Sequence, residues 1–285
     1  MTWTQLSCHA PLDGASLLGF FGHRAVAGVE EVEAGTYRRS VRLTHGPAII
    51  ELTPNAARVR GRFLLADDRD RNAATTLARI TFDLDADPPA IASLLGDDPL
   101  LGPRVRANPG LRVPGHPDPA ELAIRAVIGQ QISVAAARTV AGNLVAAHGE
   151  PLERPLGAVT HLFPAPAALA ELKPADLPMP RARGAALIGL AQALARGELV
   201  LDPAQDPALA RAGLLALPGI GPWTAAYVEL RALGDRDAFL PTDLGVRRAL
   251  ERLGADGTPA AAAAAAERWR PYRAYALQHL WRSLN

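Results

Sequence analysis

Leu217-Pro218-Gly219-Ile220-Gly221-Pro222-Trp223-Thr224-Ala225 is the stretch from which the rest of the chain is best read. Apolar residues at helical spacing run up to about Leu215, and the same spacing resumes after Pro222. Between them lie two glycines, which tolerate left-handed dihedrals and let a ligand approach the backbone without a Cβ in the way. Pro222 suits a first helical position, where a backbone N–H would have had no partner. The string therefore predicts a helix-hairpin-helix. The free N–H groups at the start of its second helix, reinforced by the helix dipole, form an anion site that needs no side-chain charge. An ordinary corner between helices also uses glycine caps, and Gly-x-Gly alone would not exclude it. The full Leu-Pro-Gly-Ile-Gly string favours contact with DNA phosphates through Leu217, Gly219, Ile220, Gly221 and Thr224. It points to a partner and not to a reaction.

Helical periodicity dominates on both sides of the hairpin. It covers residues 121–128, 134–147, 165–172, 183–195 and 207–215 before the turn, and 222–233, 244–253 and 259–284 after it. The alanine run at 260–266 looks like low complexity, but alanine has the best helix propensity and Pro259 suits a first turn, so a helical arm is expected. Residues 102–119 are dense in glycine and proline and read as a linker. Towards the N-terminus the pattern changes to strands at 26–33, 37–44, 48–53 and 58–62, separated by Gly35, Gly46-Pro47 and Pro54-Asn55. Alternation over residues 37–43 predicts an antiparallel sheet with one solvated face, and a helix at 72–82 is expected to cover the other.

Composition narrows the function without choosing it. A chain of 285 residues, 49% of them apolar, can bury a substantial core and is expected to form two or three lobes. No apolar stretch is long enough for a membrane span and the N-terminus does not resemble a signal peptide, so a soluble, cytoplasmic protein is expected. Cys8 is the single cysteine, which excludes an internal disulfide, an iron–sulfur cluster and a cysteine-based zinc site. The seven histidines are scattered, with no pair at i, i+4, and no catalytic metal is expected. Net charge is only +1, yet Lys173 is the sole lysine, so nearly all cations are arginine, which suits bidentate phosphate contacts. A GC-rich genome would produce the same bias.

Phe239-Leu240-Pro241-Thr242-Asp243-Leu244, which places Asp243 twenty-two residues after Gly221, leads into an amphipathic helix. Taken alone, Asp243 reads as a helix N-cap. The hairpin followed by a proline-containing loop that ends in Asp at a helix start resembles the helix-hairpin-helix DNA glycosylase superfamily. More closely, the chain is similar to its 3-methyladenine DNA glycosylase II family. The strings Leu17-Leu18-Gly19-Phe20, Pro109-Gly110-Leu111-Arg112-Val113-Pro114-Gly115, Arg125-Ala126-Val127-Ile128-Gly129-Gln130 and residues 266–277 extend the resemblance over almost the whole chain.

The resemblance implies an α+β fold. A small antiparallel sheet domain like that of TATA-binding protein would occupy residues 1–88. A helical domain with the hairpin would span 119–238, and a second all-α lobe would form from 89–118 and 239–285. It also implies that Asp243 is the catalytic carboxylate, facing a sugar that turns cationic as the base leaves, and that the target nucleotide is flipped out of double-stranded DNA. Trp223, Tyr227 and Trp281 then become pocket walls, with Phe20 and Leu244 beside them; an indole facing a cationic purine gains cation–π energy. Trp269 and Tyr275 are expected in the core. Gln130, Gln131 and Ser133 lie in the turn that would enter the minor groove. The family pattern has Leu at the wedge and Tyr beside the catalytic Asp; Gln131 and Leu244 depart from it. Relatives that also cut the backbone carry a lysine just after the hairpin, where this chain has Trp223, so base removal without strand cleavage is expected. A structural monovalent cation on the hairpin's carbonyls is left open. The expectation is a monomeric, monofunctional glycosylase for alkylated purines. Its alternatives are a non-catalytic damaged-DNA-binding protein and a bifunctional glycosylase/lyase.

Overall fold

The computed structural model describes residues 3–55 and 58–284. Strand β1 (Thr4–Leu6) is followed by helix α1 (Gly14–Arg24) and strands β2 (Glu30–Glu33), β3 (Thr36–Leu43), β4 (Gly46–Pro54) and β5 (Val59–Leu65). They form one antiparallel sheet in the order β1-β5-β4-β3-β2. Helix α2 (Arg71–Phe82) buries Ala74, Ala78 and Phe82. Phe21 of α1 stacks on Tyr37 of β3 at 4.3 Å and on Phe82 of α2 at 5.5 Å between ring centroids, which knits the two helices to the sheet. Helix α1 escapes the periodicity test because Gly14, Gly19 and Gly22 dilute its propensity. The strand expected at 26–33 starts only at Glu30: Gly28 is left-handed (φ 83°), and Val29 and Glu30 donate their N–H to the Val26 carbonyl in a turn.

The polar side of the sheet is not simply solvated, as alternation predicts. Ser40 and Glu51 are buried on it, Ser40 by donating its hydroxyl to the His161 carbonyl and Glu51 between Arg38 and Arg62, while Arg39, on the opposite face with Tyr37 and Val41, is buried against the helical region. Arg39 Nη2 lies 2.6 Å from Glu121 Oε2, Arg125 Nη1 lies 2.7 Å from Glu30 Oε2 and 2.8 Å from Glu121 Oε1, and Tyr37 donates its hydroxyl to Glu30 at 2.7 Å. Burial pushes the Glu121 carboxyl up, but Arg39, His116 and Arg125 outweigh it and hold the group well below the usual carboxylate range.

Helices α3 (Pro88–Leu95), α4 (Gly102–Ala107), α5 (Pro119–Ile128) and α6 (Val134–His148) come next, then a hairpin of β6 (Glu150–Leu156) and β7 (Val159–Leu162). They are followed by α7 (Pro166–Ala170), α8 (Arg181–Ala195), α9 (Pro207–Ala216), α10 (Pro222–Arg231), α11 (Leu244–Arg252), α12 (Pro259–Ala266) and α13 (Arg273–Arg282). The helical part is thus not purely helical. Strand β6 is exposed or half-buried throughout and carries Pro151 and Pro155, so it has no burial alternation for a sequence pattern to reveal. The presumed linker at 102–119 is ordered as well. It opens with α4 and continues as a buried extended segment, where a Cβ on Gly110 would come within 2.8 Å of the Asp13 nitrogen and one on Gly115 within 2.2 Å of the Ile80 carbonyl. Its glycines serve close backbone approach, and Arg112 locks it by donating to the carbonyls of His9, Pro11 and Gly110. The helix expected over 259–284 is two helices, separated by a segment containing Pro271.

Buried apolar residues gather in three clusters: the sheet with α1 and α2, a set centred on α5, α6 and α8, and a set drawn from α3, α4 and α11 to α13. Helix α10 belongs to two of them. Ala225 and Val228 pack into the second cluster, Ala226 and Leu230 into the third. This sharing places its remaining face at the junction, where the main cleft opens.

Candidate active site and hairpin

Asp243 caps α11. Its extended backbone (φ −65°, ψ 130°) turns the carboxylate back so that Oδ1 accepts the Val246 N–H at 2.9 Å. Two indoles complete its shell: Trp281 Nε1 donates to Oδ1 at 2.8 Å and Trp223 Nε1 donates to Oδ2 at 2.9 Å. Three N–H donors at a helix N-terminus suit a carboxylate anion. Oδ2 takes only one of these bonds, which leaves it a free acceptor site. Trp281 reaches Asp243 because Gly245 clears its path; a Cβ there would lie 3.0 Å from both Asp243 Oδ1 and Trp281 Cδ1. Nothing in the sequence marks Gly245, because the clearance it makes serves a residue 36 positions later.

Asp243, Trp223, Tyr227, Trp281 and Phe20 all line one cleft of about 1010 Å³, ample for a nucleotide. Trp223 and Tyr227 stack nearly parallel, 5.2 Å between centroids and 7° between planes, as their i, i+4 spacing on α10 allows. Phe20 lies beneath two guanidiniums: Arg24 Cζ is 4.0 Å and Arg231 Cζ 4.2 Å from its centroid. Leu244 does not line this cleft. Its side chain is 54% exposed, because an N1 residue following a cap points away from the face that Val246 and Leu250 bury. Trp269 and Tyr275 are buried in the third apolar cluster. Among the described residues, no three His, Cys, Asp or Glu side chains stand close enough to share a metal ion.

The hairpin joins α9 to α10. Gly219 is left-handed (φ 84°) and exposed, and its Cα side faces Ala186 of α8 so closely that a Cβ would lie 2.6 Å from the Ala186 Cβ. Gly221 is extended instead (φ −98°, ψ 175°), with open space where a Cβ would stand. Only one of the two glycines is therefore needed for its dihedral; the other leaves room beside the first turn of α10. Among the described residues the N–H groups of Gly219 and Gly221 make no hydrogen bond. Leu217 is half-buried, while Ile220 and Thr224 are buried at 6% and 3% exposure, so these two can meet a ligand only through their backbone. Thr224 is spent on another contact: Gln130 donates its Nε2 to Thr224 Oγ1 and to the Gly219 carbonyl, each at 3.0 Å. This bond ties the 129–133 turn to the hairpin. Gln131 is exposed and left-handed (φ 58°), Ser133 caps α6 through its hydroxyl at 3.1 Å from the Ala136 N, and Ile132 rather than Gln131 lines the cleft.

An α-helical hairpin with free backbone donors, beside a cleft holding an indole-clamped aspartate, defines the helix-hairpin-helix base-excision class. The family model described as HhH-GPD superfamily base excision DNA repair protein matches residues 124–274, and the one for the AlkA N-terminal domain matches residues 3–118. The chain belongs to the HhH-GPD superfamily, in its AlkA branch. It is 36% identical over 281 residues to DNA-3-methyladenine glycosylase 2 of Escherichia coli, covering 97% of this chain and 95% of the relative. It is 47% identical to the probable bifunctional transcriptional activator/DNA repair enzyme AlkA of Mycobacterium tuberculosis, covering 99% of this chain but 57% of that protein. The chain thus spans little more than half the length of that relative. In structure it is similar to a 3-methyladenine DNA-glycosylase from Archaeoglobus fulgidus, with a TM-score of 0.84 over 98% of this chain and 97% of the other at 22% identity, a likeness of fold.

Proposed function

We propose that the chain is a monofunctional DNA glycosylase that removes alkylated purines from double-stranded DNA by flipping the damaged nucleotide into the cleft. The observation that carries this reading is Asp243, held by Trp223, Trp281 and the start of α11 at the wall of a nucleotide-sized cavity. In the proposed reaction the glycosidic bond breaks with its electron pair leaving on the base, and the sugar gains oxocarbenium character. The fixed carboxylate stabilises that charge, an effect of ~3–4 kcal/mol in comparable electrostatic sites. Its uncommitted Oδ2 site can accept a proton from the attacking water. The indoles hold the carboxylate by their edges, and the Trp223–Tyr227 stack offers aromatic surface to the base.

DNA would be held through the unpaired N–H groups of Gly219 and Gly221 and the start of α10, with Gln131 at the tip of the turn filling the gap left by the everted base. In this reading the sheet domain (1–88), the hairpin domain (119–238) and the lobe built from 89–118 and 239–285 act as one monomer in the cytoplasm, with the cleft between the helical parts. Trp223 occupies the position where a Schiff-base lysine would stand, so the product is an abasic site and not a nick.

The deciding experiment incubates alkylated duplex DNA with the protein and measures free bases and strand breaks, with and without subsequent alkali. Base release with breaks only after alkali is expected. No release from the wild type would leave a protein that only binds damage, and breaks without alkali would make it a lyase.

A further inference from the structure

The inner end of the cleft holds a cation that the chemistry at Asp243 does not use. Arg231 follows Tyr227 by four residues on α10, as Tyr227 follows Trp223, so all three share the helix face that lines the cleft. Arg231 is 2% exposed, and its Nε and Nη1 make no hydrogen bond. Those two atoms carry three of a guanidinium's five N–H donors. Among the described residues no carboxylate pairs with it; Glu30 and Glu121, the buried acids of this region, are taken by Arg39, Arg125 and His116. Arg24, likewise without a carboxylate among the described residues, has Tyr227 beside its guanidinium. Both guanidiniums lie over Phe20, with Cζ 4.0 and 4.2 Å from the ring centroid, a contact that leaves Nε and Nη1 of Arg231 without an acceptor. Burial draws the Arg231 group down to about 10, which leaves it charged at neutral pH.

Helical side chains lean toward the N-terminus of their helix, so this guanidinium lies on the Tyr227 side of its own Cα, toward Asp243. A purine whose glycosidic bond is presented to Asp243 therefore turns its far edge to Arg231. We propose that Arg231 determines the specificity of the base pocket, its free N–H groups donating to an acceptor on the inner edge of an everted, uncharged, carbonyl-bearing purine. This rests on the glycosylase reading above. The C1′–N9 bond breaks and its electron pair passes to the base; water adds to C1′ and loses a proton, and the released base anion is protonated from solvent. A neutral base must carry that pair as an anion, which a guanidinium stabilises. A base methylated at N3 or N7 leaves as a neutral molecule, gains nothing from Arg231 and meets a like charge while still bound.

The test compares single-turnover release of hypoxanthine and of 7-methylguanine from otherwise identical duplexes by the wild type, Arg231→Met and Arg231→Lys. The hypoxanthine to 7-methylguanine rate ratio should fall at least tenfold in Arg231→Met and recover in part in Arg231→Lys. An unchanged ratio, or a wild type that releases 7-methylguanine but no hypoxanthine, overturns the role of Arg231. Release of 7-methylguanine by the wild type reports separately on the glycosylase reading. Should Arg231→Met lose its circular dichroism signature, the wild type alone decides. Free hypoxanthine should inhibit 7-methylguanine release at a concentration at least tenfold lower than unsubstituted purine, and equal potency overturns the proposal.

Discussion

Trp281 Nε1 lies 2.8 Å from Asp243 Oδ1, so an aromatic residue of the last helix fixes a carboxylate that begins another helix 38 residues earlier. Trp223 does the same from the hairpin side at 2.9 Å. Each indole gives its N–H edge to the acid while the residue also lines the cavity, so positioning the carboxylate and lining the base site draw on different parts of the same side chain.

That separation predicts different phenotypes for isosteric changes. Asp243→Asn keeps the N-cap acceptor and should melt within a few degrees of the wild type, while base release falls by roughly a hundredfold to a thousandfold, the rate equivalent of ~3–4 kcal/mol. Trp223→Phe and Trp281→Phe keep a ring and lose the N–H donor. Hydrogen bonds to charged groups contribute about 1.5–3 kcal/mol, so each should slow single-turnover release about tenfold or more with little change in DNA affinity. Near wild-type release by Asp243→Asn would sink the assigned chemistry.

The hairpin makes a second prediction through Gly219. A side chain there combines an unfavourable left-handed backbone with an overlap against Ala186, so Gly219→Ala should cost about 2–3 kcal/mol of stability or displace the turn. Thermal melting and DNA titration check this together. Adding Ala186→Gly should restore part of the stability, since it removes the overlap and leaves the dihedral cost. A Gly221→Ala variant, which meets open space and an extended backbone, should fold normally, and any loss of DNA affinity in it reports on anion access alone.

Gln130 joins two loops that both face the proposed DNA side. Gln130→Ala removes both of its bonds to the hairpin and Thr224→Val the one they share, so each should weaken binding to damaged duplex by roughly threefold to tenfold, corresponding to ~1 kcal/mol, with Gln130→Ala the more damaging. Because they share one interaction, the double variant should be little worse than the more damaging single one. Additive losses in a titration series would show that the link is not what matters.

A pH effect on stability follows from Asp83, whose Oδ2 accepts from Tyr275 Oη at 3.0 Å and from the Val113 N–H at 3.1 Å. Burial dominates and pushes this carboxyl up from 3.8 to about 6, against the hydrogen bonds and the charges of Arg112 and Arg236. The folded protein thus binds this proton more tightly than the unfolded chain, and Asp83 should subtract stability as pH rises between about 4 and 6, and no further above that. Asp83→Asn retains an acceptor for both donors and removes the charge. It should raise the melting temperature at pH 7–8, by an amount equivalent to about 1–2 kcal/mol, and lose that advantage near pH 4. An equal shift at both pH values would rule out the carboxyl as its cause.

Local pattern carried much of this protein's organisation. The hairpin, the helices around it and most sheet strands follow from periodicity and from where glycine and proline stand, because hydrogen bonding within a helix or across a tight turn depends on neighbours in the chain. Trp223 and Tyr227 share a face for the same reason, and Asp243 is recognisable as a cap from the helix it starts. Other elements lack such a signature: α1 is diluted by glycines, β6 is exposed or half-buried throughout and carries two prolines, and the buried segment after α4 has the composition of a loop.

What packing alone settled are the contacts that join distant positions. Gln130 meets Gly219, Gly245 clears a path for Trp281, Arg39 is buried against Glu121, and Arg231 comes to rest over Phe20 with donors unfilled. No spacing encodes these pairs, because the distance between two side chains on different elements depends on how whole helices and sheets bury their apolar faces together. A buried arginine looks the same in a sequence whether it pairs with a glutamate or is left with unfilled donors at the wall of a cavity, and here that difference separates structural charge from the group proposed to meet a ligand.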